Sequence, residues 1–191
     1  MHTAHEFFLD ELHDIYNAEK RILGVLQEGE QQIQRFDLKK AFLRHRRQTE
    51  GQVKRLEAVF ESLGEEPREK NCEGLEGLVK EKESLQEEQP EAAIADLNSL
   101  VAAIKVERYE ISAYEVLIFL AQQMKHREAV RLLKETLKEE QETAKLLLEI
   151  CKATDMDWEA GMNEEAGEGE DEAESRRAMA SHGRARSRRA A

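Results

Sequence analysis

The sequence predicts an all-α protein that folds as a four-helix bundle. Ala, Glu, Lys, Leu and Arg dominate the composition, and the 191 residues include only two prolines, which is typical of long helices. In four separate segments, apolar residues recur at alternating intervals of three and four, the spacing of one face of an α-helix. Each segment spans about 25 residues, or roughly 35–40 Å at 1.5 Å per residue, so the four can pack side by side.

The first helix carries one acid in an otherwise apolar face. We expect this helix to begin at Thr3, since Thr3 and Glu6 have the spacing of a capping box. Glu19 interrupts the face near the middle of the helix, and the periodicity fades in the Gln-rich residues 29–34. The face comprises Phe8, Leu12, Ile15, Glu19, Ile22 and Leu26.

The second helix has a face that is apolar at both ends and polar in the centre. Asp37 is a good N-cap residue for its start, and Gly64 followed by Pro67 supplies a C-cap and a stop. Gln48 lies one turn after His45, beside this face. The face comprises Leu38, Phe42, His45, Thr49, Gln52, Leu56, Val59 and Leu63.

Two connections of very different length follow. Residues 65–90 are long enough to cross from one end of a bundle to the other, and we expect a short helix over residues 75–87 within them. Pro90 fits the first turn of the next helix. Only a short connection near residues 125–127 separates the third and fourth long helices, so these two should run antiparallel side by side.

The third and fourth long helices also carry acids in the middle of apolar faces. The third, roughly Glu91 to Met124, has Glu107 on its face and Glu110 one turn later, and the fourth has Glu140. The face of the third helix comprises Leu97, Leu100, Ile104, Glu107, Ile111, Tyr114, Ile118 and Ala121. The face of the fourth helix comprises Val130, Leu133, Leu137, Glu140, Ala144, Leu147 and Cys151.

These polar interruptions lie near the helix midpoints, so they should converge at one level in the bundle interior. Four carboxylates in a low-dielectric interior repel strongly, so either several are protonated or cations lie among them. Two divalent cations would balance four carboxylates, as carboxylate-bridged iron or manganese pairs do in bundle cores. The residues of this level are Glu19, His45, Gln48, Gln52, Glu107, Glu110 and Glu140.

Structural roles are the alternative for the same residues. Arg44, Arg47 and Arg108 lie close enough in sequence to form salt bridges with the acids. His45 alone is more typical of a hydrogen-bonded core histidine than of a ligand. The three tyrosines are interpreted as packing aromatics, although Tyr114, which lies on a helix face, can hydrogen-bond a carboxylate.

Composition restricts the compartment and the partners. The net charge of −12 argues against general binding to nucleic acid or anionic membranes. No apolar run approaches the roughly 20 residues of a membrane span, and the N-terminus lacks the pattern of a signal peptide. We therefore expect a cytoplasmic protein, with Cys72 and Cys151 as reduced thiols.

The pattern of a helical bundle stops after Thr154, which divides the chain into a bundle, residues 1–154, and a tail, residues 155–191. Residues 159–174 carry eight acids and no base, and residues 175–191 carry six arginines and no acid. This composition predicts a disordered tail. It can fold back loosely on itself, or its arginines can contact an acidic partner, including nucleic acid weakly.

Six segments in order, spread over about residues 5–154, carry a family resemblance. They read ELHDIYNAE at 11–19, HRRQTEGQ at 45–52, RLEAVF at 55–60, CEGLEGL at 72–78, VERYEISAY at 106–114 and LLKETLKEE at 132–140. On these segments the chain resembles the YciE/YciF-type family of bacterial ferritin-like proteins. The resemblance implies a ferritin-like four-helix bundle with a long crossover between its second and third long helices. It also implies a stress-associated role, metal binding in the core and a homodimer.

The chain departs from the family pattern at two positions. Where the family usually has His-x-x-Glu-Thr, this chain has Gln48 three residues after His45, and it has Arg108 where the family often has His. A neutral amide is a poorer bridging ligand than a carboxylate, and an arginine adds a fixed positive charge. The di-iron signature Glu-x-x-His is also absent, since Glu140 is followed three residues later by Thr143. These departures favour a weak, single-metal or vestigial site.

Two hypotheses follow from the sequence. The first is a stress protein whose core binds iron or manganese and oxidises iron or handles peroxide. The second is a non-catalytic structural or interaction bundle with a vestigial site. The proposed ligands are Glu19, His45, Glu107, Glu110 and Glu140, with Gln48 as a weak neighbour.

Overall fold

A computed structural model describes residues 3–154, and within this range all regular structure is α-helical. The four long helices are joined as two hairpins, and a short helix lies in the connection between the hairpins. This arrangement confirms the prediction of an all-α four-helix bundle. The helices are α1 (Ala4–Gln32), α2 (Phe36–Leu63), α3 (Glu73–Glu87), α4 (Ala92–Gln123) and α5 (Arg127–Lys152).

Two predicted helix ends are confirmed in detail. The Thr3 hydroxyl accepts a hydrogen bond from the backbone N–H of Glu6, and the Glu6 carboxylate accepts one from the backbone N–H of Thr3, each 3.1 Å long. These two bonds are the reciprocal pair of a capping box. At the end of α2, Gly64 has φ of 72°, a left-handed conformation that glycine adopts without a Cβ penalty.

Two other predicted positions were wrong by one or two residues. Asp37 is not the N-cap of α2, because Arg35 occupies that position and the Asp37 carboxylate accepts from the Arg35 guanidinium at 2.7 Å. Asp96 of α4 holds the chain before α2, since it accepts from the backbone N–H groups of Gln34 and Arg35 at 3.1 and 2.7 Å. Pro90 lies just before α4 rather than in its first turn, as Glu91 is the N-cap.

Contacts between helix ends define the topology. The Arg35 guanidinium, before α2, donates to the carbonyl of Ile150 at the end of α5 at 3.2 Å, so α2 and α5 are antiparallel. Near the start of α1, Phe8 stacks on His126, which precedes α5, with ring centroids 5.9 Å apart. The end of α2 therefore lies far from the start of α4, and residues 65–91 span the bundle, with α3 alongside α4. This is the predicted long crossover.

The crossover is attached along its length to α1 and α4. Its first part is held by the backbone N–H of Arg68, which donates to His13 Nδ1 at 3.1 Å. Leu75 and Val79 of α3 are buried in the core, while Lys105 of α4 pairs with Glu81 on the outer side. The short helix thus covers the groove between α1 and α4.

Some further expectations are settled and others lie outside the described residues. Cys72 and Cys151 are free thiols, as predicted. None of the helices in residues 3–154 combines the length and apolarity that a membrane span needs. The predicted tail of residues 155–191 lies outside the described range, so the boundary after Thr154 stays a prediction.

The close packing of α1 on α2 leads to a test of the fold. A Cβ on Gly29 would lie 2.8 Å from Cε1 of the buried Phe42 ring, whereas a Cβ on Gly51 would meet nothing within 4 Å. Gly29→Ala should therefore destabilise by about 1–3 kcal/mol through overpacking. Gly51→Ala should stabilise by about 0.5–1 kcal/mol, because alanine favours the helix. Urea unfolding of both variants measures the difference, and effects of the same sign would contradict this packing.

Candidate metal centre

One level of polar side chains crosses the apolar core at mid-height. Each long helix supplies at least one member: Glu19 from α1, His45 from α2, Glu107 and Glu110 from α4, and Glu140 from α5. Their exposed fractions are 5% or less, and those of Glu19, Glu110 and Glu140 are 0%. The predicted convergence of the interrupting residues is therefore seen in the structure. Buried charged groups of this kind need compensating partners.

Four of these residues form a compact group. One ligand atom from each of His45, Glu107, Glu110 and Glu140 can be chosen so that all four atoms lie within 4.8 Å of one another. His45 Nε2 lies 3.0 Å from Glu107 Oε1, but the two atoms are not aligned for a hydrogen bond. Glu107 and Glu110 enter the group together because residues three apart share one side of a helix.

Glu19 lies at the same level but outside the compact group. Its Oε1 accepts a short hydrogen bond from the hydroxyl of Tyr114, and both residues are fully buried. Its Oε2 has no hydrogen-bond partner among the described residues. The expectation that Tyr114 can hydrogen-bond a carboxylate is thus confirmed, and Glu19 is the most firmly held of the four acids.

Hydrogen-bonding groups without partners are concentrated at this level. Buried polar atoms in proteins are nearly always paired, so a cluster of unpaired ones requires an explanation. Within the described residues, all buried side-chain oxygens and nitrogens without a partner belong to residues of the predicted polar level. They are Glu19 Oε2, both ring nitrogens of His45, Gln48 Oε1, Gln52 Oε1, Glu107 Oε2, and both carboxylate oxygens of Glu110 and of Glu140.

Burial makes the acids of this level hard to ionise. It raises the pKa of Glu107 from 4.5 to about 8. Burial also raises the pKa values of Glu19, Glu110 and Glu140 well above 4.5. Repulsion adds to it, since the charge of Glu140 acts on Glu19 and that of Glu19 on Glu110. Glu107 and Glu140 belong to the same compact group, so the charge of Glu107 makes Glu140 harder to ionise. Either protons or cations must therefore offset these charges.

Within residues 3–154, the arginines expected near the core acids do not offset their charge. Arg47 and Arg108 are exposed, and Arg44 pairs on the surface with Glu142 at 3.7 Å. The interpretation in which these three arginines neutralise the core acids is therefore wrong for the described residues. The partly buried Arg55 was missed by sequence reasoning. It is engaged by Glu139 of α5, to which it donates at 3.1 Å.

The two glutamines of α2 differ in their contacts. The Gln52 amide nitrogen donates to Glu139 at 3.2 Å, which ties Gln52 to the Arg55–Glu139 pair. Gln48 is partly buried, and its buried Oε1 has no partner among the described residues. Gln48 therefore offers a free neutral oxygen, whereas a glutamate at this position would have added a fifth acid.

A second polar cluster was not anticipated. Tyr109, interpreted from sequence as a packing aromatic, donates to Asp14 Oδ2 at 2.9 Å, and its hydroxyl oxygen lies 3.0 Å from Cys72 Sγ. A Cβ on Gly74 would lie 2.8 Å from this tyrosine ring. Burial raises the pKa of the Cys72 thiol, which keeps it protonated. Because the cluster joins α1, α4 and the start of α3, no periodicity within one helix could reveal it.

Removing the hydroxyl of Tyr114 should destabilise the bundle. Tyr114→Phe leaves both oxygens of the buried Glu19 without a donor, which costs about 1–3 kcal/mol. Tyr16→Phe is the matched control, since the Tyr16 hydroxyl donates at 3.2 Å to Glu57 in a partly buried place and its loss should cost less. Urea unfolding of the metal-free variants measures both effects. Equal decreases in the free energy of unfolding would show that the Tyr114–Glu19 hydrogen bond stabilises the bundle no more than the Tyr16–Glu57 hydrogen bond does.

Comparison with known proteins agrees with this architecture. Residues 3–161 match a family described as a domain of unknown function, DUF892. The chain belongs to this family. Within it, the chain is 36% identical over 144 residues to protein YciF of Escherichia coli K12, an alignment that covers 75% of this chain and 87% of YciF. The resemblance to the YciE/YciF-type family is thereby confirmed.

Solved structures of similar proteins have the same fold. YcfI from Rhodopseudomonas palustris superposes with a TM-score of 0.76 at 31% identity, covering 82% of this chain and 97% of YcfI. The E. coli stress protein YciF superposes with a TM-score of 0.75 at 35% identity, covering 78% and 95%. A Xanthomonas campestris protein, at 19% identity and a TM-score of 0.63 over 79% and 92%, shows the fold alone. The chain is thus a homologue of a stress protein.

Proposed function

We propose that this protein is a stress-response protein that binds divalent iron or manganese in the core of its bundle. The observation that carries the proposal is the compact group of His45, Glu107, Glu110 and Glu140, buried together with most of their polar atoms unpaired. A divalent cation would pair these atoms and offset the charges at once. The stress role is supported by the homology to YciF, a stress protein of E. coli.

The donor set suits one metal ion. Three carboxylates and one imidazole are ligands that iron and manganese accept in proteins. Ligands on opposite sides of an ion at about 2.1 Å lie about 4.2 Å apart, so a group within 4.8 Å needs only a small contraction. Glu19 and Gln48 would serve as weaker neighbours, the first restrained by Tyr114 and the second uncharged.

Bound iron would supply an electron for reduction of dioxygen or peroxide, and bound manganese would supply redox chemistry toward peroxide. The residues of this chain have simpler tasks. The carboxylates of Glu107, Glu110 and Glu140 would supply the negative charge for a cation, and His45 would add an imidazole nitrogen from α2. Tyr114 holds Glu19 in place through its hydroxyl, which leaves one oxygen of Glu19 free. The apolar residues around this level exclude water.

Metal analysis tests the proposal directly. After anaerobic loading with ferrous or manganous ion and removal of excess metal, we expect about one ion per chain and a raised melting temperature. Glu140→Ala and Glu19→Ala should reduce both effects, while Glu115→Ala, an exposed acid of α4, should leave them unchanged. Less than roughly a tenth of an ion per chain under these conditions would contradict metal binding.

A non-catalytic structural bundle is the second candidate. It is supported by the neutral Gln48, which adds no further acid to the level, and by the 3.0 Å approach of His45 to Glu107. In that case the unfolding temperature would not respond to iron or manganese, and the metal-free form would be the working form. The same loading experiment separates the two candidates.

We further propose that the protein forms a homodimer through the outer side of α4. Four apolar side chains on this helix are 38–56% exposed, and their intervals of seven, fifteen and three place them on one side. Light scattering should give twice the chain mass, and Phe119→Lys should shift the protein to monomer. Phe36→Lys, at an exposed phenylalanine of α2, is the control. The four side chains are Ile94, Val101, Val116 and Phe119.

A further inference from the structure

An apolar cavity of about 40 Å³ lies beneath the crossover helix α3. Its walls come from α1, α2, α3 and α4, and its inner end is formed by His45 and Glu107, two members of the compact group. Half-buried side chains such as Val25, Leu78 and Lys82 also line it, which places its outer end near the surface. The cavity therefore connects the edge of α3 with one side of the candidate metal centre.

The chemistry of the walls limits what can enter. Between Lys82 and the pair His45–Glu107, the lining is almost entirely carbon, with Ser99 as the other polar residue. Water is disfavoured in apolar cavities, and such cavities bind small apolar molecules or xenon instead. A charged or strongly hydrated molecule would lose its hydration without gaining hydrogen bonds. The size suits one diatomic molecule and is too small for a metabolite.

We infer that this cavity is an entry and binding site for dioxygen on the His45–Glu107 side of the core. Dioxygen is small, uncharged and apolar, so the walls admit it without a desolvation cost. Leu78 of α3 and Ala103 of α4 are wall residues that donate no ligand atom to the compact group. The inference rests on the proposed metal-binding function, because dioxygen would react only beside a bound metal ion. The cavity itself can be tested in metal-free protein.

Xenon is the probe for the cavity, since it is an apolar atom of comparable size. In metal-free protein under xenon pressure, the methyl resonances of Val25, Leu78 and Val79 should shift in a saturable way. Ala103→Leu should abolish these shifts by filling the space. The control Ala93→Leu, at an exposed alanine of the same helix, should leave them unchanged. Leu78→Ala should strengthen xenon binding by enlarging the space, which provides a second variant if Ala103→Leu fails to fold.

The kinetic arm uses protein loaded anaerobically with ferrous ion. Ala103→Leu should bind as much iron as wild type but consume dioxygen several-fold more slowly, and Ala93→Leu should match wild type. Absence of saturable xenon shifts in wild type would overturn the inference, as would an unchanged rate of dioxygen consumption in Ala103→Leu. If xenon binds but the wild-type protein retains no iron after loading, the metal proposal fails while the apolar cavity stands.

Discussion

Replacing Glu110 with Gln is expected to stabilise the metal-free protein and to abolish its stabilisation by iron or manganese. Glu110 is fully buried, and both its oxygens lack partners among the described residues. Burial and the charges of Glu19, Glu140 and Glu107 raise its pKa. The neutral amide has nearly the same shape, is uncharged without taking up a proton and can donate to neighbouring carboxylates. We expect the unfolding free energy of metal-free protein at neutral pH to rise by about 1–4 kcal/mol.

The opposite signs of the two effects are what make this variant informative. A residue that only supports the fold would lower stability when changed, whether or not metal is added. Glu115→Gln is the matched control, because it makes the same substitution at an exposed position of α4 and should change stability by less than about 0.5 kcal/mol. Urea unfolding with chelator and with excess manganous ion measures both quantities. A Glu110→Gln protein that is less stable without metal, yet stabilised by metal as wild type is, would exclude Glu110 as a ligand.

The second large effect is an inverted dependence of stability on pH. The pKa of Glu107 is about 8 in the folded protein, against an ordinary value of 4.5. Between these values the folded state retains a proton that the unfolded state has released. The retained proton therefore contributes to the free energy of unfolding. This contribution of Glu107 is fully present below about pH 4.5 and is lost as the pH rises through about 8, and it amounts to roughly 5 kcal/mol. Metal-free protein should thus be less stable at pH 8 than at pH 5.5.

Added metal should reverse that trend. Iron and manganese bind carboxylates in their deprotonated form, so protons compete with the metal over the same range, and the metal-induced stabilisation should grow toward pH 8. Urea unfolding at several pH values, with chelator or with manganous ion, measures both slopes. Glu107→Gln is the diagnostic variant, since it should flatten the metal-free slope and weaken the metal response. A metal-free stability that rises between pH 5.5 and pH 8 would show that Glu107 is ionised in the folded core.

Much of the fold and of the candidate site could be predicted from the sequence, because both depend on spacing within single helices. The interruption of each apolar face by Glu19, His45, Glu107 or Glu140 is a local pattern, and similar helix lengths bring the interruptions to one height. The capping box at Thr3 and the left-handed Gly64 likewise depend on neighbouring residues alone. The start of α2 could not be predicted to the residue, because a distant side chain holds the preceding backbone. Asp96 accepts hydrogen bonds from the backbone there.

The partners of the buried acids could not be predicted, because they depend on how helices are rotated and offset against one another. Sequence proximity favoured Arg44, Arg47 and Arg108 as compensating charges, yet these face outward, and the partly buried Arg55 is engaged by Glu139. Likewise, only the packed bundle separates Glu19, which is held by Tyr114, from the compact group of its neighbours.

The sequence by itself determined an all-α bundle of the DUF892 family with a level of acids and one histidine in its core. The spacing of apolar residues indicates which side of a helix each residue occupies. Because all four long helices have a polar residue at the middle of the apolar side, this spacing is enough to predict one polar level in the core. The tertiary structure decided which four side chains lie within 4.8 Å, which acid a tyrosine restrains and where an apolar cavity reaches the group. These features depend on distances between side chains of different helices. Such distances are set by how the helices pack, and the residue spacing within one helix contains no information about them.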